Sequence, residues 1–325
     1  MSLETLLFYI VAGAFVLVSG ANDGGTLVSS GLQMRSLSPL AAIGLLLAAL
    51  VLVPPLLGTA VATTMATSLV GTVGQDGSVP RLAFLVAVLT AVLVVAALAR
   101  LGLPTSLTLA LIGGITGAGL GLGLPVAWRA VGVVLLIGLA APLVGGFVAW
   151  LLIRLLRHAP IGGHASRLGW AHRSAFGAQC LAYAANDGQK ALAIFAVAAG
   201  TVGPPVVPRL DQLSLIALLF GIGLLMGLPR IAATVVRRMA PPRPLQAVSA
   251  ETASAIAVLG STAFGSPVSM TQSITAALLG AGLSRGYGRI RWRTVIQLAS
   301  AWFLTLPAAV GIAALAGAIG RRMWE

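Results

Sequence analysis

Ten long apolar runs, nearly all separated by short arginine-bearing stretches, leave this chain few ways to fold. A helix that crosses the hydrocarbon core of a bilayer needs about 20 apolar residues. Runs of that order lie near 3–31, 38–73, 82–99, 103–121 and 131–153, and again near 174–200, 212–236, 246–263, 264–284 and 294–318. Only 8% of residues are charged and 58% are hydrophobic, whereas a soluble domain carries about 25% charged residues. The expectation is an all-α polytopic membrane protein. Its formal charge of +13 does not imply a nucleic acid partner, because such a face needs clustered charge on a soluble surface. The start, Met1-Ser2-Leu3-Glu4, lacks the positive region of a signal peptide. Cys180 is the single cysteine and excludes an internal disulfide.

The arginines supply orientation, since cytoplasmic loops are enriched in Lys and Arg. If the ten segments are ten crossings and the polar stretch 154–173 lies inside, inner loops hold thirteen arginines and outer ones five. The chain then divides into a first transmembrane half (1–153), a cytoplasmic linker (154–173) and a second half (174–325), in the cell membrane. Pro54-Pro55 and Gly58 should break the segment 38–73. Five segments per half, entered from opposite sides, make the halves inverted repeats. The motifs agree. Gly20-Ala21-Asn22-Asp23-Gly24 recurs as Ala184-Ala185-Asn186-Asp187-Gly188. Gly102-Leu103-Pro104-Thr105-Ser106-Leu107-Thr108 recurs as Gly265-Ser266-Pro267-Val268-Ser269-Met270-Thr271. Asp23 precedes Pro104 by 81 positions and Asp187 precedes Pro267 by 80. Inverted repeats with broken helices characterise secondary transporters, whose sites lie at the repeat interface.

An Asp at the centre of a bilayer costs at least about 2.5–3.5 kcal/mol, so intramembrane carboxylates are functional by default. Asp23 and Asp187, each preceded by Asn (Asn22, Asn186), are read as ligands for a coupling cation, sodium or a proton. Gly20, Gly24 and Gly25 would let the first helix unwind and offer backbone carbonyls. The alternative is a carboxylate that merely caps a broken helix. The Pro-x-Ser-x-Thr motifs read as starts of half-helices with Pro in the first turn. Their free N–H groups, with Thr105, Ser106, Thr108, Ser269 and Thr271, would cradle an oxyanion; the competing role for such hydroxyls is bonding to their own helix. Lys190, the only lysine, either balances Asp187, attracts the anion or snorkels to the interface. Glu251 is a third intramembrane acid, a cation ligand, proton site or packing residue. His158, His164 and His172 lack metal-ligand spacing and read as solvated loop residues. Without a P-loop or Gly-x-Ser-x-Gly element, neither ATP-driven transport nor enzyme chemistry is expected, and no cofactor beyond the coupling ion.

At these residues the chain resembles the PiT family of inorganic phosphate transporters. The likeness is carried by Gly20-Ala21-Asn22-Asp23, Leu57-Gly58-Thr59-Ala60-Val61, Ala185-Asn186-Asp187-Gly188-Gln189-Lys190, Ser249-Ala250-Glu251-Thr252-Ala253 and both proline motifs. It implies a dimer-forming symporter with inverted repeats and re-entrant helical hairpins, moving phosphate, or in some relatives sulfate, with sodium or protons. It also implies that the Asn-Asp motifs serve the cation and the hairpin tips the anion. Thr26 stands where the family usually has a second Asn. Leu107 and Met270 replace a hydroxyl of each tip, and Leu109 and Gln272 replace its His. An oxyanion site with fewer donors could prefer sulfate. A passive anion channel is the reading from another class, and the paired Asp residues oppose it.

Overall fold

The computed structural model describes residues 3–68, 78–101, 105–156, 165–201, 205–232, 243–284, 286–287 and 290–324. Pro104, His158 and His164, and with them residues 157–164 of the expected linker, fall outside them. Every regular element described is helical. α1 (Leu3–Ser19) runs through one wide π-helical turn (Gly20–Gly24) into α2 (Gly25–Gly31). α3 (Pro39–Leu57) begins on a Ser38 cap, whose Oγ accepts Ala41 N–H at 3.2 Å, with Pro39 in the first turn. It ends where Gly58 turns to φ +85°, a conformation that suits glycine. α4 (Ala60–Thr63) follows, so the segment breaks at Gly58, whereas Pro54 and Pro55, also expected to break it, lie inside the last turn of α3. α5 (Ser78–Arg100), α6 (Leu107–Leu122) and α7 (Trp128–Leu156) complete the first half. The second contains α8 (Ala165–Ala185), α9 (Asp187–Ala199), α10 (Leu210–Ala232), α11 (Pro244–Ala263), α12 (Met270–Leu283) and α13 (Trp292–Trp324).

All ten apolar segments contain helix, but they are not ten equal crossings. Among the described residues six helical stretches are long and apolar enough to span a bilayer: Leu3–Gly31, Pro39–Leu57, Val79–Arg100, Trp128–Leu156, Leu210–Pro229 and Trp292–Arg322. α6 and α12, with 16 and 14 residues, reach only about 24 and 21 Å at 1.5 Å per residue. That is less than the roughly 30 Å hydrocarbon core, so each is a half-helix that starts inside the molecule. α8 and α11 are long enough, but bury His172 and Gln179, and Gln246, Ser249, Glu251 and Ser254.

The packing is reciprocal. α6 lies against α5 and α13, and α12 against α11 and α7; α1 and its π-turn lie against α10, and α8 against α3. Each pair has a counterpart with the halves exchanged. Small residues set the closest approaches, as in membrane bundles. A Cβ on Gly113 of α6 would come 2.7 Å from the Leu306 carbonyl of α13, and those on Gly117 and Gly121 would strike the carbonyls of Val310 and Ala314. Gly280 of α12 meets the Gly146 carbonyl of α7 in the same way. Phe15, Phe176, Tyr183, Phe195 and Phe220 fill the centre, while Leu136, Leu143 and Phe147 of α7 and Phe303, Leu304 and Leu315 of α13 face outward. An outer layer this apolar belongs in lipid. The chain is a multi-pass membrane protein.

Candidate functional site

The first Asn-Asp motif does not unwind its helix. Ser19, Gly24 and Gly25 all keep right-handed helical dihedrals (φ −61° to −59°). Glycines are needed here for contact: a Cβ on Gly20 would collide with the Phe220 carbonyl of α10, and one on Gly24 would come 2.9 Å from the Phe220 ring. The π-turn leaves one carbonyl out of the usual ladder, and Thr26 Oγ1 donates to Asn22 O at 2.8 Å. The expected supply of free carbonyls at this turn is therefore not formed. The second motif does break its helix: α8 stops at Ala185, Asn186 sits at φ −120°, ψ −76°, and α9 starts at Asp187.

Both half-helices begin on the serines of their motifs. Ser106 Oγ accepts Leu109 N–H at 3.1 Å, and Ser269 Oγ accepts Gln272 N–H at 3.4 Å. Pro267 lies ahead of the cap, outside the helix, because the serine needs extended backbone to reach the third N–H (Ser269 φ −105°, ψ 115°). The two asparagines clamp the tips through backbone. Asn22 Nδ2 donates to Thr105 O at 2.8 Å and Asn22 Oδ1 accepts Thr105 N–H at 3.2 Å. Asn186 Nδ2 donates to Ser266 O and Asn186 Oδ1 accepts Val268 N–H, both at 3.0 Å. One amide thus spends a donor and an acceptor on a strand of backbone that no helix or sheet satisfies.

The aspartates tie the halves together. Asp23 Oδ1 accepts Thr271 Oγ1–H across the halves at 2.6 Å and Asn22 Nδ2–H at 2.7 Å, and Oδ2 accepts Ser19 Oγ–H at 3.4 Å. Asp187 Oδ2 accepts Met270 N–H, the first amide of α12, at 3.1 Å, and Oδ1 binds Lys190 Nζ at 2.6 Å. Lys190 also donates to Thr108 Oγ1 at 2.5 Å and to Val268 O, and Thr108 Oγ1 is 2.8 Å from Val268 O. The first turn of α6 therefore touches the residues just ahead of α12. Lys190 is 1% exposed; it does not snorkel. Thr105 faces elsewhere: its hydroxyl meets Thr305 Oγ1 of α13 at 2.5 Å. Gln272 is buried in the first turn of α12.

Glu251 stands in another cluster. Its Oε1 lies 3.2 Å from His172 Nε2, and both side chains are buried. His172 Nδ1 meets Ser36 Oγ at 2.5 Å. His172 is thus no solvated loop residue, because α8 begins at Ala165 and carries it into the bundle. No hydrogen bond found among the described residues links Glu251 to either aspartate. Two contributors were given no role by the sequence reading, although Gln189 stands in one of its motifs. Gln189 bridges the α3–α4 break, donating to Gly58 O at 2.8 Å and accepting Ala62 N–H at 3.0 Å. Tyr183 Oη meets Ser19 Oγ at 3.0 Å, behind Asp23. Both stand within four residues of an Asn-Asp motif, the one signal that pointed to them.

Chemically, carboxylate, hydroxyl and carbonyl oxygens suit a small hard cation, and two helix N-termini suit an anion. Among the described residues no three His, Cys, Asp or Glu side chains cluster to hold a metal. The phosphate transporter family matches residues 19–175 and 169–313 of this chain. A probable low-affinity inorganic phosphate transporter of Mycobacterium leprae (strain TN) is 32% identical, over 97% of this chain and 76% of that protein. Another so described, from Bacillus subtilis (strain 168), is 27% identical over 96% of both. A solved structure described as the sodium-dependent phosphate transporter superposes on 99% of this chain and 100% of its own, with TM-score 0.85 at 15% identity; that likeness is one of fold.

Proposed function

We propose a transport role from one premise: the chain belongs to the phosphate transporter family. The chain imports inorganic phosphate together with a cation, sodium or a proton. The observation that carries this reading is the meeting of two half-helix N-termini with two buried Asn-Asp motifs, through Thr271–Asp23 and Thr108–Lys190–Asp187. The tips of the two half-helices, at Ser106, Thr108, Ser269, Thr271 and Gln272, receive the anion; the Thr271 hydroxyl, held by Asp23, and the Thr108 hydroxyl, held by Val268 O, turn to it on binding. Asn22, Asp23, Asn186 and Asp187 gather the cation, with Thr26 holding the π-turn behind them. A cation at Asp23 lowers the electrostatic cost of bringing phosphate to the same buried place. The halves, inverted relative to each other, then rock to open the site to alternate sides, a motion supported by the packing of each half-helix on the other half's last helix. The arginine bias puts the linker expected at 154–173, of which α7 takes 154–156 and α8 takes 165–173, towards the cytoplasmic face of the cell membrane, and the homodimer rests on family resemblance alone.

Uptake of radiolabelled phosphate into proteoliposomes tests this directly. Accumulation against a phosphate gradient, driven by an imposed sodium or proton gradient, is expected. Purely downhill flux would leave a passive channel. Sulfate is the competing cargo, because Leu107 and Met270 bring no hydroxyl to the tips; phosphate uptake that excess sulfate abolishes would favour it.

A further inference from the structure

The two halves offer the same three kinds of oxygen at corresponding positions. Aligned through the motifs, Asp187 matches Asp23, Thr108 matches Thr271, and Val268 matches Thr105. In the second half Asp187 Oδ1, Thr108 Oγ1 and Val268 O surround one group, the Lys190 ammonium. An ammonium is a compact point charge with three donors, and all three are spent here on protein oxygens. None remains for an anion. In the first half the residue matching Lys190 is Thr26, whose hydroxyl turns back to Asn22 O. Asp23 Oδ1, Thr271 Oγ1 and Thr105 O are instead bridged by neutral donors, the Thr271 hydroxyl and the Asn22 amide. Among the described residues no Lys, Arg or His lies within ion-pair distance of Asp23, although it is 4% exposed.

The asparagines record the same difference. Asn22 Nδ2 holds Thr105 O, whereas its counterpart carbonyl, Val268 O, is taken by Lys190. Asn186 Nδ2 turns away to Ser266 O and to Thr262 Oγ1, both at 3.0 Å. We propose that Lys190 Nζ is the resident cation of the second-half site, standing where an exchangeable cation would otherwise sit beside Asp187, so that this chain carries a single exchangeable cation site, at Asp23. Hard oxygen ligands of this kind accept a small metal cation as readily as an ammonium. A tethered cation is never released, so it moves no net charge across the membrane in a cycle. The inference rests on the symport reading above and adds the number of ions to it.

Lys190→Thr makes the second half a copy of the first. Full-length wild type and variant are reconstituted, and the membrane potential at which phosphate flux reverses is measured under fixed sodium, proton and phosphate gradients. This reads the charge moved per phosphate whichever cation is used. The expected result is one further positive charge per phosphate in Lys190→Thr, with a steeper dependence of uptake on cation concentration. Equal charge and equal steepness overturn the proposal. Melting of the purified proteins against sodium chloride concentration and pH provides a readout independent of turnover. Lys190→Thr should gain a cation-dependent stabilisation that the Asp187→Asn/Lys190→Thr double variant lacks, and the same dependence in both overturns it too. A wild type without any gradient-driven accumulation would instead remove the symport reading itself.

Discussion

Asp23 and Asp187 hold the same place in two copies of one motif, yet the chain treats them differently. Asp187 opens a new helix after a break at Asn186, caps α12 through Met270 N–H and carries a lysine. Asp23 sits within a continuous helix that only widens by a π-turn, and it meets hydroxyls and an amide. In both halves, however, the asparagine alongside grips the backbone of its own half's tip. The common requirement is therefore a buried carboxylate beside a clamped tip, and either backbone form supplies it. What differs is the charge that each carboxylate is left to find.

Substitutions that treat the two sites alike should expose that difference. Asp23→Asn is expected to have the largest effect: gradient-driven uptake falls to background while the melting temperature stays near that of the wild type, since no partner charge is stranded. Asp187→Asn should show the opposite balance. It leaves the Lys190 ammonium buried without its carboxylate, which costs about 3–5 kcal/mol, and a thermal melt or expression level reads that loss. Equal destabilisation by the two variants would break the comparison. Gln189→Leu comes next. It strips partners from Gly58 O, which is exposed, and from the buried Ala62 N–H, whose loss costs about 1–3 kcal/mol, and fluorescence-detected melting of the detergent-solubilised protein checks it. The smallest effects belong to Ser106→Ala and Ser269→Ala, about 1 kcal/mol each for a lost cap. These two should match, because the caps are alike in both halves; a large inequality in their melting shifts would show that the tips are not equivalent.

Much of the fold was legible because bilayers leave the backbone little choice. The apolar runs located the helices, Gly58 located a break, and the Pro-x-Ser-x-Thr motifs located the half-helix starts, although the serines and not a first-turn proline cap them. The misreadings were all questions of what lay opposite. His172 looked like a loop residue until α8 carried it beside Glu251 and Ser36. Thr105 looked like an anion ligand until Thr305, 200 positions away, took its hydroxyl. The glycines of the first motif looked like a license to unwind, when their job is to let α10 come close.

By itself the sequence determined a membrane-embedded, duplicated helical chain with two aspartates at matching positions, since hydropathy, glycine placement and motif spacing act within a segment or between copies of it. Only the tertiary structure decided which carboxylate keeps a resident cation. An ammonium settles where several oxygens converge, and here those oxygens come from Asp187, Thr108 and Val268, contributed by both halves and brought together only by the packing of α6 against the approach to α12.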